Sequence, residues 1–300
     1  MIGQAFRHLN SKLNLKQSLL ILIGLMLIGC QHSFSVAQSS ESEDVSTTSV
    51  NQSVEIIAHR GASHDAPENT LAAVNLAWTQ NADAVEVDIY LSADERIVAV
   101  HDKTLKRYGG PNKPIAAMTY QELQKHEVGR WKDKKFAGEP IPLLSEILKT
   151  VPQKKRLFIE IKCGAEILPH LKSVLKSANL DDRQTCIICF SKEVIESAAT
   201  QLPQIERYWL VSLKRNQATR KVKPSPKSLI KTSNDIGADG LDLGGAIDII
   251  NADYVARLKK VGLPVYVWTV NSPEEAARLK VAGVSGITTD RPKLLKATRE

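Results

Sequence analysis

Apolar positions along the chain fall into two alternating kinds of segment. Short runs rich in Ile, Val and Leu cover 54–58, 84–90, 96–101, 156–161, 185–190, 206–212, 239–243 and 263–270. Runs of this length and β-branched content read as strands, and their near-continuous apolarity implies burial on both faces, as in a parallel sheet. Between them lie stretches with apolar residues three and four apart, such as 71–80, 165–178, 252–261 and 273–281, which read as amphipathic helices. Repetition of strand, helix, strand over this length predicts an α/β protein built as a single (β/α)8 TIM-type barrel.

Two places break the rhythm. Only residues 91–95 separate the second and third strand candidates. That is too short for a helical crossover, so the pair connects by an extended return or a hairpin. A late run, 286–290, makes a ninth candidate for eight barrel places, and the pattern does not decide which of the nine lies outside. Segment 103–140 holds Gly109, Gly110, Pro111, Pro114 and Pro140 with weak helical periodicity. It reads as a small insertion after the third strand, placed over one barrel end, where loops shape substrate entry.

A different pattern precedes the first strand. Arg7, Lys12 and Lys16 lead into an apolar run, 19–28, that is too short to span a bilayer. Residues 1–29 therefore read as an export signal. The run ends in Leu27-Ile28-Gly29-Cys30, which resembles a bacterial lipobox and makes Cys30 the expected lipidation site and mature N-terminus. Ordinary cleavage after Ser35-Val36-Ala37 is the alternative, giving a periplasmic or secreted protein rather than a membrane-anchored lipoprotein of the cell envelope. Residues 30–53 are rich in Ser, Gln, Thr and acid, cannot bury enough apolar surface to order themselves, and read as a disordered tether. The barrel domain is expected over 54–298.

With 43% hydrophobic residues, the chain has ample material for a core, which excludes disorder for its bulk. The net charge of +7 falls to +4 once the three basic residues of the acid-free leader are set aside. That excess is too dispersed for a nucleic-acid binder. Lys214, Arg215, Arg220, Lys221, Lys223, Lys227 and Lys231 form a basic stretch with no acid between them, read as a solvated loop. Cys186 and Cys189 have redox-motif spacing but sit in an apolar run, where residues three apart face opposite sides of a strand, so they read as buried structural thiols. No nucleotide-loop or Gly-x-Ser-x-Gly pattern occurs.

Chemistry gathers at strand ends. Ala58-His59-Arg60-Gly61 closes the first strand, Val85-Glu86-Val87-Asp88 the second, Val100-His101-Asp102 the third and Ile159-Glu160-Ile161-Lys162 the fourth. Glu86 and Asp88 are two apart and so share a face, as do Glu160 and Lys162. Carboxylates crowded on one face of an apolar strand repel one another and resist burial, and a cation relieves both problems. Taken singly, each acid could be an ion-pair partner of Arg60 or Lys162. Taken together, Glu86, Asp88 and Glu160 form a hard oxygen donor set suited to one divalent cation, Mg²⁺ or Ca²⁺, rather than zinc. His59 and His101 differ from the other histidines in ending apolar strands beside charged residues.

The ordered set His59-Arg60-Gly61, Pro67-Glu68-Asn69-Thr70, Glu86-Val87-Asp88, His101-Asp102, Glu160-Ile161-Lys162, Trp268-Thr269-Val270-Asn271 and 286–292 resembles the glycerophosphodiester phosphodiesterase family. The resemblance runs from about Val54 to Pro292. It implies that His59 and His101 are the catalytic acid and base and that Glu86, Asp88 and Glu160 hold the metal. Arg60 and Lys162 would contact the phosphate of a small-molecule phosphodiester. It also implies a route in which the free glycerol hydroxyl attacks phosphorus, the head-group alcohol leaves, and water opens a cyclic phosphate. Trp268 is taken as a substrate wall or as packing at the barrel end, Asn69 as the N-cap of the helix at 71, and Glu68 as a supporting residue. His64-Asp65 departs from the family's usual residues and reads as a solvated loop. Two alternatives stay open: a phospholipase-D-like enzyme acting on lysophospholipids, and a catalytically silent surface-binding barrel. Nothing in the sequence bears on oligomeric state or preferred head group.

Overall fold

The computed structural model describes residues 54–297, so the expected export signal, Cys30 and the tether lie outside the described residues. The strands are β1 (Glu55–Ala58), β2 (Ala84–Leu91), β3 (Ile97–Ala99), β4 (Arg156–Ile161), β5 (Thr185–Cys189), β6 (Glu206–Arg215), β7 (Val222–Lys223), β8 (Gly240–Gly245), β9 (Val265–Val267) and β10 (Gly286–Thr289). Going round from β1, the parallel neighbours are β2, β4, β5, β6, β8, β9 and β10, and β10 pairs back onto β1. This is the expected closed barrel of eight parallel strands.

β3 is the one of the nine candidates that lies outside the barrel. It pairs antiparallel with the upper end of β2, Tyr90 against Val98, and takes no place in the barrel. The insertion follows it and packs its own small core of Val100, Leu105, Ile115, Met118, Leu123, Val128 and Ile141. The basic stretch is not the expected loop. β6 runs on to Arg215, turns, and returns as β7, while Lys227 and Lys231 stand on the helix Pro226–Ile236. Of its seven cations, all but Arg215 are exposed.

A helix follows each barrel strand, among them Leu71–Thr79, Lys192–Gln201, Ala252–Lys259 and Pro273–Ala282. Their starts are set locally: the side chains of Thr70, Ser191, Asn251 and Ser272 each accept a first-turn backbone N–H. Such caps contribute about 1 kcal/mol apiece. The helix at 71 is thus capped by Thr70, not by Asn69 as expected.

Alternation along the strands divides the core in two. One set of side chains, including Ile56, Val85, Val87, Ile159, Ile187, Cys189, Leu241 and Leu243, meets the helices outside. The other set points inward, where Phe158, Tyr208 and Tyr266 cluster with ring centroids 4.9–6.0 Å apart and, with Ile57, Ala84 and Cys186, plug the barrel. Truncating fully buried Phe158 to Ala would cost about 3–5 kcal/mol. Glycine makes room for these rings: a Cβ on Gly286 would lie 2.3 Å from Tyr266 Cε1. Below the plug Arg156 closes the barrel bottom against Glu55 and Glu206. Cys186 faces the inner cluster and Cys189 the outer one, both as free thiols, as their spacing required.

Candidate active site

Above the aromatic plug, the inward rows of β1, β2 and β4 turn polar. Ala84, Glu86 and Asp88 succeed one another on β2, and Phe158, Glu160 and Lys162 on β4. Asp88 is in direct register with Glu160. One carboxylate oxygen from each of Glu86, Asp88 and Glu160 lies within 4.8 Å of the others, and all three residues are buried. Burial first, then the charges of Asp88 and Glu160, push the Glu86 pKa well above the ordinary carboxylate range. Burial and Asp88 likewise push Glu160 up to about 6, against the opposing pull of Lys162. Burial also opposes the charge of Asp88, but Arg60, Lys162, His101 and the Asn69 amide outweigh it and hold its pKa below the usual value.

Those cations are close. Arg60 Nε is 3.0 Å from Asp88 Oδ2, and Lys162 Nζ is 2.7 Å from Glu160 Oε1 and 3.4 Å from Asp88 Oδ1. Arg60 reaches the cluster from a left-handed backbone, φ 54°, at the turn after β1, which points its N–H at Glu86 Oε2, 2.8 Å away. A non-glycine residue held there costs of order 1 kcal/mol or more, a strain typical of functional turns. The far end of Arg60 donates to Glu68 Oε1 at 3.0 Å, so Glu68 supports the site as expected.

Glu86 Oε1 remains buried with no hydrogen-bond partner, and Asp88 Oδ1 has only the more distant Lys162 ammonium. The unpartnered Glu86 oxygen and the loosely held Asp88 oxygen, converging with Glu160, fit a divalent cation bound through oxygen, and Arg60 and Lys162 do not exhaust their capacity.

The two histidines arrive by different routes. His59 continues the inward row of β1, and its Nδ1 lies 2.7 Å from Asp290 Oδ1, just past β10. His101 is delivered by β3: Val100 N donates to Asp88 O at 3.0 Å, which sets the following residue at the level of the acids. Its Nδ1 is 2.7 Å from Asp102 Oδ1. Burial, with Arg60 and Lys162 adding to it, holds the His101 pKa below its ordinary value despite Asp88 and Asp102.

A cavity of about 270 Å³ opens at the C-terminal ends of the strands and joins these groups. His59, Arg60, Glu86, His101, Glu160 and Lys162 line one side, and Ile188, Phe190, Leu210 and Trp268 the other, with Asp242, Thr269 and Thr288. Trp268 is therefore both wall and packing. Its ring lies so close over Gly244 that a Cβ there would meet Cε2 at 2.6 Å, and Phe190, 45% exposed, stands edge-on to it at 5.6 Å. His64 is exposed, paired with Asp65 at 2.8 Å, and does not line the cavity.

Several contributors escaped the sequence reading. Asn69, itself at φ 58°, grips Asp88 twice: Nδ2 donates to Asp88 Oδ2 at 2.8 Å, and Oδ1 accepts from Asp88 N at 2.9 Å. Asp290 collects Ser63 and Asn271 as well as His59, and these hydrogen bonds outweigh burial and hold its pKa far below normal. Arg107 of the insertion joins Glu68 to Asp102. The Asn69 amide was legible as part of a motif, but its partner was not.

Residues 59–294 match the Glycerophosphoryl diester phosphodiesterase family. A putative glycerophosphodiester phosphodiesterase of Bacillus subtilis is 33% identical over 246 residues, covering 79% of this chain and 94% of its own. A glycerophosphodiester phosphodiesterase of Caldanaerobacter subterraneus is 31% identical, covering 80% and 95%. Among solved structures, an Oleispira antarctica phosphodiesterase in complex with the product sn-glycerol-3-phosphate is similar with a TM-score of 0.72 at 28% identity, over 82% of this chain and 96% of that one.

Proposed function

The chain belongs to the glycerophosphoryl diester phosphodiesterase family, and on that premise we propose that it hydrolyses glycerophosphodiesters to glycerol phosphate and an alcohol. The observation that carries this reading is the convergence of three carboxylates, two cations and two carboxylate-backed histidines on one cavity at the catalytic end of the barrel.

Glu86, Asp88 and Glu160 are the ligands of one divalent cation, Mg²⁺ or Ca²⁺. Bound there, it supplies charge stabilisation to the phosphoryl oxygens. Arg60 and Lys162 orient the phosphate and offset its charge, which otherwise repels a nucleophile. Asp290 and Asp102 each accept from a histidine Nδ1–H, leaving Nε2 to face the substrate. His101, whose pKa burial depresses, takes the proton of the attacking glycerol hydroxyl. His59 gives a proton to the departing head-group oxygen as the old P–O bond breaks, and water then opens the cyclic phosphate. The apolar wall of Ile188, Phe190, Leu210 and Trp268 limits water around the reacting atoms.

Product analysis on a panel of deacylated glycerophosphodiesters and lysophospholipids tests this reading. Glycerol phosphate and a free alcohol released from the deacylated diesters are expected. Cleavage of lysophospholipids alone would favour the lipid-directed alternative, and no turnover of either class would favour a silent barrel.

We also propose an envelope location through a lipidated Cys30, from the apolar run ending at Gly29 and the polar segment behind it. Mass spectrometry of the membrane fraction should find the modified cysteine at the N-terminus. A soluble mature protein beginning at Gln38 would contradict it.

A further inference from the structure

One ionisable group in the cavity has no part in the chemistry above. Asp242 lies on β8, across the barrel from the acidic triad, and is 2% exposed. Strand alternation fixes its direction: Leu241 and Leu243 face the outer core, so Gly240, Asp242 and Gly244 face inward. It lines the same cavity as His59 and Glu160. Its Oδ1 is buried without a hydrogen-bond partner, and among the described residues no cation pairs with it. Its backbone carbonyl, by contrast, accepts from Trp268 Nε1 at 3.2 Å, which seats the indole above it.

A buried carboxyl with an idle oxygen destabilises a fold. It also sits in the apolar half of the cavity, among Ile188, Leu210 and Trp268, where the Trp268 N–H is already given to the Asp242 carbonyl and the other polar lining side chains are Thr269 and Thr288. Burial, reinforced by Glu160, raises its pKa well above normal, so it is disposed to stay neutral and can both donate and accept. The phosphate is held on the opposite side by Arg60 and Lys162. The part of the substrate that reaches Asp242 is therefore an uncharged, hydroxyl-bearing substituent of that phosphate. A variable head group is accommodated more readily toward the open mouth at exposed Phe190.

We propose that Asp242 is a substrate-recognition residue that hydrogen-bonds a hydroxyl of the glycerol unit. The inference rests on the proposed phosphodiesterase reading and adds the group that tells a polyol phosphate from a plain alkyl phosphate. Sites built to hydrogen-bond a hydroxyl reject analogues lacking it, because the buried group is then left unpaired.

Calorimetric binding of sn-glycerol 3-phosphate, n-propyl phosphate and inorganic phosphate to the purified protein with Mg²⁺ tests it, for the wild type, Asp242→Leu and Asp242→Asn. Wild type should prefer glycerol phosphate over propyl phosphate by about 10-fold or more, and Asp242→Leu should reduce that preference to about 2-fold or less. Inorganic phosphate should bind all three alike, and Asp242→Asn, which keeps a donor and an acceptor, should retain most of the preference. The melting temperature of the ligand-free Asp242→Leu protein should rise, the opposite of what a structural carboxyl would give. An unchanged preference in folded Asp242→Leu overturns the proposal. If that variant does not fold, its failure contradicts the expected rise and likewise overturns it. Wild type that binds inorganic phosphate but shows no preference for glycerol phosphate would instead count against the phosphodiesterase reading itself.

Discussion

The Nδ1 atom of His59 stands 2.7 Å from Oδ1 of Asp290, across a sequence separation of 231 residues. The contact exists because β10 pairs with β1 and closes the barrel, with Ala58 opposite Thr289. A carboxylate at Nδ1 favours the proton on that nitrogen, and in the proposed mechanism Nε2 is left for the substrate. Asp290→Asn keeps the shape but offers an amide that can turn its donor to Nδ1. Turnover should fall by about 10²- to 10⁴-fold, with the alkaline limb of the pH profile displaced, since His59 is the proposed proton donor. A merely structural Asp290 would lower the melting temperature and leave the pH profile of the folded enzyme where it was.

In the proposed mechanism His59 and His101 serve one reaction coordinate from two strands. Replacing either with Ala should lower kcat by about 10²- to 10⁴-fold with little change in KM, and the double variant should fall well short of the product of the two losses. Near-normal turnover in a well-folded single variant would remove that histidine from the mechanism.

Asn69 holds Asp88 by both its carboxylate and its backbone N–H. Asn69→Ala should raise the Mg²⁺ concentration needed for half-maximal activity by about 10- to 100-fold, as losses of groups that orient metal ligands commonly do. An unchanged metal requirement would mean that Asp88 is positioned without it.

Crowding of acids makes the metal-free protein pH-sensitive. The folded Glu160 carboxyl titrates at about 6, above its ordinary value of 4.5. Its folded state therefore binds more protons than its unfolded state between those values. Stability from this group is complete below pH 4.5 and is lost as pH rises to about 6, amounting to about 2 kcal/mol. Measured after chelation, the melting temperature of wild type should fall across this window relative to Glu160→Gln, and saturating Mg²⁺ should reverse the difference. Parallel profiles for the two proteins without metal would show that Glu160 is not strained by its neighbours.

The barrel was legible because its strands are apolar on both faces, and the acids stood out because Glu86, Asp88 and Glu160 interrupt that apolarity on one side. Their shared inward face followed from local spacing alone. The exclusion of β3 was legible only in part: Ile97–Ala99 is as apolar as a barrel strand, and although the short 91–95 connection called for an extended return or a hairpin, it took the antiparallel pairing with Ile89–Leu91 to show that β3 is the strand left outside. The same pairing is what carries His101 to the acids. Asn69, Asp290 and Asp242 were missed for one reason, since each acquires its meaning from a partner, or the lack of one, that appears only when distant strands close. Asn69 was misread because a side-chain amide before a helix looks like a cap, and Thr70 next to it does that work instead.

The measurement that bears most directly on the account is release of glycerol phosphate by the purified protein after exhaustive chelation, followed by stepwise return of Mg²⁺, Ca²⁺ or Zn²⁺. With Glu86, Asp88 and Glu160 as the ligands of the working cation, chelation should abolish turnover, Mg²⁺ or Ca²⁺ should restore it better than Zn²⁺, and Glu86→Ala should stay inactive at every concentration. Full turnover in the chelated protein, or undiminished turnover in Glu86→Ala, would contradict it.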